Sequence, residues 1–175
     1  MYKLSIVAAL LMFVNLASGQ EGIAILWPEE YDWKILSNHD NEKLNLIELI
    51  PGKENANNWS LLVQMMSLKG VKKTSLDEAI KIMYQQVKKT TPCSKLTLLE
   101  EDLESENPWV LFKTEVPCVE NTKDTESQLW FICQGKSSLY VNFIAVKIAN
   151  LENEFIKVWS EVFKNSEIVT FTPQR

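Results

Sequence analysis

Residues 44–68 of this 175-residue chain read LNLIELIPGKENANNWSLLVQMMSL, two apolar segments separated by a polar one. The apolar segments are residues 44–50 and 59–68, and the PGKENANN between them has the proline, glycine and asparagine content of a turn. Two short apolar segments on either side of such a turn are typical of paired strands. We therefore expect a hairpin or hairpin-like pair here, and with it a sheet.

Four further segments extend the predicted sheet: residues 95–99, 109–116, 128–133 and 138–148. A short turn that contains Gly135 separates the last two, which predicts an antiparallel hairpin. Within residues 109–116 the even-numbered side chains, from Val110 to Val116, form the more apolar face. Weaker patterns predict two more short strands at residues 33–36 and 168–171.

Two amphipathic helices are predicted to pack on this sheet. The first covers residues 75–89, where Ser75 and Glu78 have the spacing of a capping box and Pro92 ends the helix. The second covers residues 151–164. Each has an apolar stripe at helical spacing, formed in the first by Leu76, Ala79, Ile80, Met83, Tyr84 and Val87 and in the second by Phe155, Val158, Trp159, Val162 and Phe163.

The order of these elements predicts the fold class. Strands, a helix, more strands and a final helix are typical of an α+β domain with an antiparallel β-sheet flanked by helices. Because strands and helices do not alternate regularly, we expect neither a doubly wound parallel fold nor its nucleotide crevice.

The first 19 residues have the pattern of a cleaved signal peptide. Lys3 precedes an apolar run over residues 6–16, and Ala17-Ser18-Gly19 supplies the small residues that a signal peptidase recognises, so cleavage is predicted after Gly19. The alternative is a membrane anchor, but the apolar run is shorter than the roughly 20 residues that span a bilayer. We therefore expect residues 20–175 to form a single exported domain without a transmembrane anchor.

The charge pattern indicates which class of partner is not expected. The formal net charge is −5, and acidic and basic residues alternate without a basic cluster. A nucleic-acid partner is therefore not expected. The acidic run EEDLESE at residues 100–106 is interpreted as a solvated loop, with a cation or partner site as the alternative.

Three cysteines, Cys93, Cys118 and Cys133, follow the predicted signal. Two of them can pair in an oxidising compartment. Because Cys93 follows a predicted helix and Cys118 follows a predicted strand, a Cys93–Cys118 disulfide is favoured, with the other pairings left open. Cys133 lies inside an apolar strand, where a free cysteine behaves as a small hydrophobe. A redox role for an unpaired thiol is the alternative.

The sequence shows no pattern that a known catalytic or metal site requires. The one histidine, His39, lies in a polar segment interpreted as an exposed turn, and no Gly-x-Ser-x-Gly elbow is present, so a Ser-His-Asp hydrolase is not expected. The cysteines are widely spaced and no segment has EF-hand spacing, so we expect no metal and no cofactor. A carboxylate-based hydrolase remains an alternative, because spacing alone neither shows nor excludes two carboxylates facing across a cleft.

Aromatic and amide side chains in two predicted loops form the candidate site. Of the six tryptophans, Trp109, Trp130 and Trp159 fall within predicted elements and are interpreted as core residues. Aromatic residues in loops either bind a partner or fasten the loop to the core, and both interpretations stay open. The candidate ligand or partner surface consists of Trp27, Tyr31, Trp33, Asn55, Asn58 and Trp59.

The apolar strand ending in Pro-Gly, followed by an asparagine-rich loop and Asn58-Trp59, resembles small exported bacterial proteins with a Mog1/PsbP-like fold. Further points of resemblance, within roughly residues 27–165, are Cys93, Cys118, the GKSSLY of residues 135–140 and Trp159. The chain departs from this pattern at Pro117-Cys118, where proline precedes the cysteine. The resemblance implies an α/β/α sandwich and an exported location. It implies no activity, because proteins of this fold serve as photosystem subunits, GTPase-binding proteins and envelope components.

These observations together predict an exported non-enzymatic binding or accessory protein, periplasmic or secreted. Its partner is expected to be a protein or an envelope component. Besides the hydrolase, the alternative is an envelope or virulence factor that contacts a protein partner. A sizeable exposed apolar patch would be the structural sign of such a contact.

Overall fold

The computed structural model describes residues 20–118 and 125–171. Within them the chain forms nine strands, two α-helices and a 3₁₀ turn at Glu29–Tyr31. The predicted signal, residues 1–19, lies outside the described residues. The elements follow in the order β1 Gln20–Ala24, β2 Lys34–Asp40, β3 Leu44–Ile50, β4 Leu61–Lys69, α1 Leu76–Thr90, β5 Lys95–Asp102, β6 Trp109–Glu115, β7 Ser127–Gln134, β8 Ser138–Val146, α2 Asn153–Lys164 and β9 Glu167–Phe171.

Seven of the described strands form one antiparallel sheet in the order β2-β3-β4-β8-β7-β6-β5. β1 and β9 pair with each other in a separate two-stranded ribbon. Both predicted hairpins are confirmed. β3 pairs with β4, with Leu44 opposite Leu68, and at the β7–β8 turn the Gly135 N–H donates to the Ser138 carbonyl at 2.9 Å. The predicted α+β class is therefore confirmed.

Each helix packs on one side of the sheet, because neighbouring residues of a strand point to opposite sides. On β6, Phe112 belongs to the same core cluster as Leu76 and Ala79 of α1, whereas Leu111 belongs to that of Trp159 of α2. We call these sides the α1 side and the α2 side. Both Phe112 and Leu111 are buried, so the more apolar face predicted for this strand is not its only covered face.

Both predicted helices are confirmed. Ser75 is the N-cap of α1, and its hydroxyl accepts a hydrogen bond from the Glu78 N–H at 3.5 Å. α2 begins at Asn153, two residues later than predicted, because its N-cap Glu152 still has the extended φ of −70° and ψ of 145° and the buried Leu151 precedes that cap.

The strands differ from the prediction in three main places. β5 was predicted over residues 95–99 but runs to Asp102, because Glu100, Glu101 and Asp102 pair with β6; the interpretation of the acidic run 100–106 as a loop was therefore wrong for its first three residues. β2 was predicted over residues 33–36 but runs to Asp40, so the prediction of a turn at His39 was wrong. β2 is an edge strand held by its pairing with β3, where His39 lies opposite Leu46, and an edge strand can carry polar side chains that resemble a turn in sequence. β1 was not predicted at all, because its partner β9 lies at the other end of the chain.

The cysteines follow the prediction. A disulfide joins Cys93, in the loop after α1, to Cys118, just after β6. Cys133 is free and buried. No helix in the described part of the chain is both long and apolar enough to cross a membrane.

Candidate functional site

The aromatic segment of the predicted site packs onto helix α2. The ring centroids of Trp27, Tyr31 and Trp33 lie 6.2, 5.6 and 6.2 Å from that of Trp159. The Trp33 indole N–H also donates to the Pro28 carbonyl at 2.9 Å, which holds the segment in its bend. The three rings are half-buried against the α2-side core, so they fasten the segment that follows β1 to the body of the protein.

The asparagine-rich loop is ordered by its own polar groups. Asn55 and Asn58 form an isolated β-bridge, and the Asn55 side-chain oxygen accepts from the Asn57 N–H at 3.0 Å. At the end of the loop the Glu54 carboxylate accepts from both the N–H and the hydroxyl of Ser60, at 2.7 and 2.5 Å. The asparagine side chains are exposed, and their hydrogen bonds shape the loop itself.

Trp59 packs on the other side of the sheet from the aromatic segment. It is half-buried against the α1-side core, and the Lys147 ammonium lies 4.1 Å from its ring centroid. Such a cation–π contact is stronger when the indole is partly desolvated, as the half-buried Trp59 is. The six residues of the predicted site therefore lie around one end of the sheet, but their rings face opposite sides of it. The two segments meet through their backbones, where the Gly52 N–H donates to the Tyr31 carbonyl at 3.0 Å.

An apolar surface that the sequence did not single out lies beside Trp59, on the α1 side of β3 and β4. Leu46 is opposite Met66 and Leu44 is opposite Leu68 in the β3–β4 pairing, so all four side chains point to the same side. All are half-buried, whereas β8 presents only buried side chains to this side from Leu139 to Ala145. We call the following five half-buried residues the open strip: Leu44, Leu46, Leu62, Met66 and Leu68.

The open strip results from where the two helices lie. α1 packs against β6 and β7, at the other half of the sheet, while the aromatic segment covers the α2 side. The sequence could not show this. LLVQMM in β4 is apolar on both faces, and only the packing shows that Val63 is fully buried while Met66 is half-buried.

Polar residues divide the open strip between Met66 and Leu62, on the side of Trp59. Glu48 lies opposite Gln64, and its carboxylate accepts from the Ser37 hydroxyl at 2.6 Å. Beyond them is Glu126, a half-buried carboxyl whose side-chain oxygen accepts from the Gln128 amide at 2.5 Å. Burial raises the pKa of Glu126 above its usual value and the charge of Glu48 adds to this, against the lowering effects of Gln128 and Lys147.

Glu126 is held at the end of a short chain of hydrogen bonds. The Trp130 indole donates to the Thr114 hydroxyl at 3.1 Å, and that hydroxyl donates to the Gln128 side-chain oxygen at 3.2 Å. Glu48 and Glu126 are the best candidates for the two carboxylates that a hydrolase would need. Each already accepts a hydrogen bond from a neighbouring side chain, which fits a structural role.

A cavity of about 430 Å³ lies on the α2 side, between the sheet and β9. The thiol of Cys133 forms part of its wall, but burial, together with the charge of Glu21, raises the pKa of this thiol to about 12. A protonated thiol is a poor nucleophile, so the geometry favours packing over a redox role. The cavity is lined by Ser105, Glu106, Asn107, Trp109, Phe131, Cys133, Lys164, Ser166, Glu167 and Ile168.

The remaining metal-binding side chains are dispersed. His39 is exposed on β2, and its Nε2 lies 3.1 Å from the Asn41 side-chain nitrogen. In residues 20–118 and 125–171, no three His, Cys, Asp or Glu side chains come together as ligands of an ion.

Comparison with known proteins gives no match, either to a protein-family model or to a curated protein.

Proposed function

We propose that this chain is an exported, non-enzymatic binding or accessory protein that contacts a protein partner through the open strip. The observation that carries the proposal is the half-burial of four neighbouring apolar side chains on one side of β3 and β4, Leu44, Leu46, Met66 and Leu68, with Leu62 beyond the Glu48–Gln64 pair. Exposed apolar patches mark interaction sites in monomeric proteins, and each of these side chains keeps part of its surface accessible. Trp59, one of the residues of the predicted site, borders it.

The chemistry around the open strip suits an apolar segment that carries a basic residue. Glu48 extends the open strip on β3, Glu126 lies close enough to Glu48 to be influenced by its charge, and the chain as a whole has a net charge of −5. A cation at the end of the bound segment would meet these carboxylates, while its apolar residues cover the leucines and Met66. Opposite charges at the rim mainly set specificity and association rate.

Export and fold family belong to the same proposal. The Cys93–Cys118 disulfide is compatible with an oxidising compartment, and residues 1–19 have the pattern of a signal peptide. A helix on each side of an antiparallel sheet is compatible with a Mog1/PsbP-like sandwich. We propose that the mature protein begins at Gln20 and works in the periplasm or outside the cell.

Photocrosslinking tests the docking surface with a matched pair of positions. Met65 and Met66 are neighbours on β4, both half-buried, and they point to opposite sides of the sheet. A benzophenone amino acid at position 66 should crosslink a discrete exported protein in the envelope and culture fractions, and one at position 65 should not. Excess wild-type protein should compete with the crosslink, and excess Met66→Glu should not.

Two substitutions refine the test. Trp59→Ala and Glu48→Gln should each weaken capture about fivefold, because they remove a border contact and a rim charge. Trp33→Ala, on the α2 side, should leave capture unchanged. Equal crosslinking from positions 65 and 66, or none from position 66, would refute the open strip as the docking surface.

A further inference from the structure

Strand β5 is an edge of the seven-stranded sheet. It pairs with β6 on one side and, in the described part of the chain, with no strand on the other. All of its residues except Leu96 are exposed. Leu98 and Leu99 are 48% and 36% exposed, and Leu103, just after the strand, is 51% exposed. An edge with free backbone groups and exposed leucines is a template for another strand.

The charges of β5 are divided between its two ends. The strand reads KLTLLEED, with Lys95 at its start and Glu100, Glu101 and Asp102 at its end. In an antiparallel pair the start of one strand meets the end of the other. A second copy of β5 would therefore place its acidic end beside Lys95, and its own lysine beside the first acidic end.

The bulge in β5 selects the register of such a pair. Lys95 and Asp102 lie opposite Glu115 and Trp109 of β6 and point to the α2 side, whereas Glu101 points to the α1 side. In a regular strand Lys95 and Asp102 would point to opposite sides, because odd- and even-numbered residues alternate. The irregularity between Leu98 and Glu100 shifts this alternation by one residue, so both point to the same side. A pairing of Lys95 with Glu101 would join opposite sides.

The register that pairs Lys95 with Asp102 matches sides along the strand. It sets Thr97 opposite Glu100 on the α2 side, and Leu96 opposite Glu101 on the α1 side. Leu98 and Leu99 of the two copies then meet at the centre. A register with Lys95 opposite Glu100 fails, because it would set Thr97 against Leu98, which points to the α1 side.

We propose that two copies of this chain form a two-fold symmetric dimer through antiparallel pairing of their β5 strands, with Lys95 of each copy paired to Asp102 of the other. The dimer has one continuous fourteen-stranded sheet, twice the seven strands of a single copy. The open strips lie at its outer halves, on β3 and β4. Backbone hydrogen bonds and the central leucines supply the attraction, and the two ion pairs set the register.

Sedimentation equilibrium of the protein purified after export tests the dimer. A concentration-dependent monomer–dimer equilibrium is expected. Lys95→Asp should weaken it about tenfold, because both symmetric ion pairs become repulsive. Lys81→Asp, an equal change of charge on the exposed face of α1, should leave it unchanged. A protein that stays monomeric at every concentration overturns the proposal.

A charge swap tests the register itself. Asp102→Lys should also weaken the dimer, but it removes the acceptor that receives the Glu104 and Ser105 N–H groups, so its effect alone is not specific. Adding Lys95→Asp to Asp102→Lys should therefore strengthen association, opposite to its effect on the wild type. Additive losses in the double variant would overturn the pairing. Met66→Glu should not change the dimer, which separates this test from that of the open strip.

Discussion

Cys133 is a free thiol whose chemistry is set by its burial. Its side chain is 5% exposed, and burial, with a smaller effect from Glu21, raises its pKa from 9.0 to about 12. Between these values the folded protein holds a proton that the unfolded chain has released. The thiol's contribution is therefore complete below pH 9 and is lost as the pH rises toward 12.

We predict that the free energy of unfolding falls more steeply with pH in the wild type than in Cys133→Ala. The wild type should lose about 1.4 kcal/mol relative to the variant between pH 8 and pH 10. Urea denaturation of both proteins at each pH, with the disulfide intact, measures this difference. Tyr140 is present in both proteins; burial is the main cause of its raised pKa, and the charge of Cys133 is the last of the causes. Parallel pH profiles would contradict the raised thiol pKa.

A disulfide joins elements of the fold, and its contribution to the free energy of unfolding can be measured by itself. The Cys93–Cys118 disulfide encloses α1's C-terminal loop, β5 and β6, with a sequence separation of 25 residues. A loop of this length restricts the unfolded chain by about 3.5 kcal/mol in the chain-entropy model. We predict a loss of this order for the double variant Cys93→Ser/Cys118→Ser, measured by urea denaturation.

Cys133→Ala is the matched control for that loss. Because Cys133 takes no part in the disulfide, reductant should destabilise Cys133→Ala as much as the wild type and should not affect the double variant. A destabilisation by reductant below about 1 kcal/mol would show that the link adds little to elements already held by the sheet.

At the scale of the elements, local pattern was a good guide where an element contains its own signals. The cap at Ser75 and the turn at Gly135 predicted α1 and the β7–β8 hairpin. The sequence pattern did not predict strands that form only because they pair with a partner strand. β1 has no apolar alternation, and β2 carries polar residues through His39 because it is an edge strand.

At the scale of the molecule, residues 20–118 and 125–171 form two hydrophobic cores that share one sheet. Adjacent residues of β6, β7 and β8 alternate between the α1-side and α2-side cores, so neither core can be lost without exposing the strands of the other. We therefore predict a single cooperative unfolding transition. In Trp59→Phe/Trp130→Phe, tryptophan fluorescence reports the α2 side, and its midpoint should coincide with that of far-UV circular dichroism. An earlier fluorescence midpoint would show that the two sides unfold separately.

The candidate site was predictable only in part. Trp59 was singled out from its place beside the asparagine-rich loop, and it borders the open strip. Trp27, Tyr31 and Trp33 are predicted site residues because they form an aromatic segment near the N-terminus, yet their rings pack on Trp159, more than 120 residues away in the chain. Leu46 and Met66 went unnoticed because apolar residues in a strand are expected to be covered.

The sequence by itself determined the α+β class, both helices, both hairpins and the burial of Cys133, and it favoured the Cys93–Cys118 pairing that the structure then showed. These depend on periodicity, caps and turns within a few residues. The tertiary structure alone decided the β1–β9 ribbon, the extent of β2, and which half of the α1 side the described residues leave open. The ribbon and the extent of β2 depend on pairing with a partner strand, and the open half depends on what lies over the strands. The local pattern of a segment predicts neither its pairing nor its coverage.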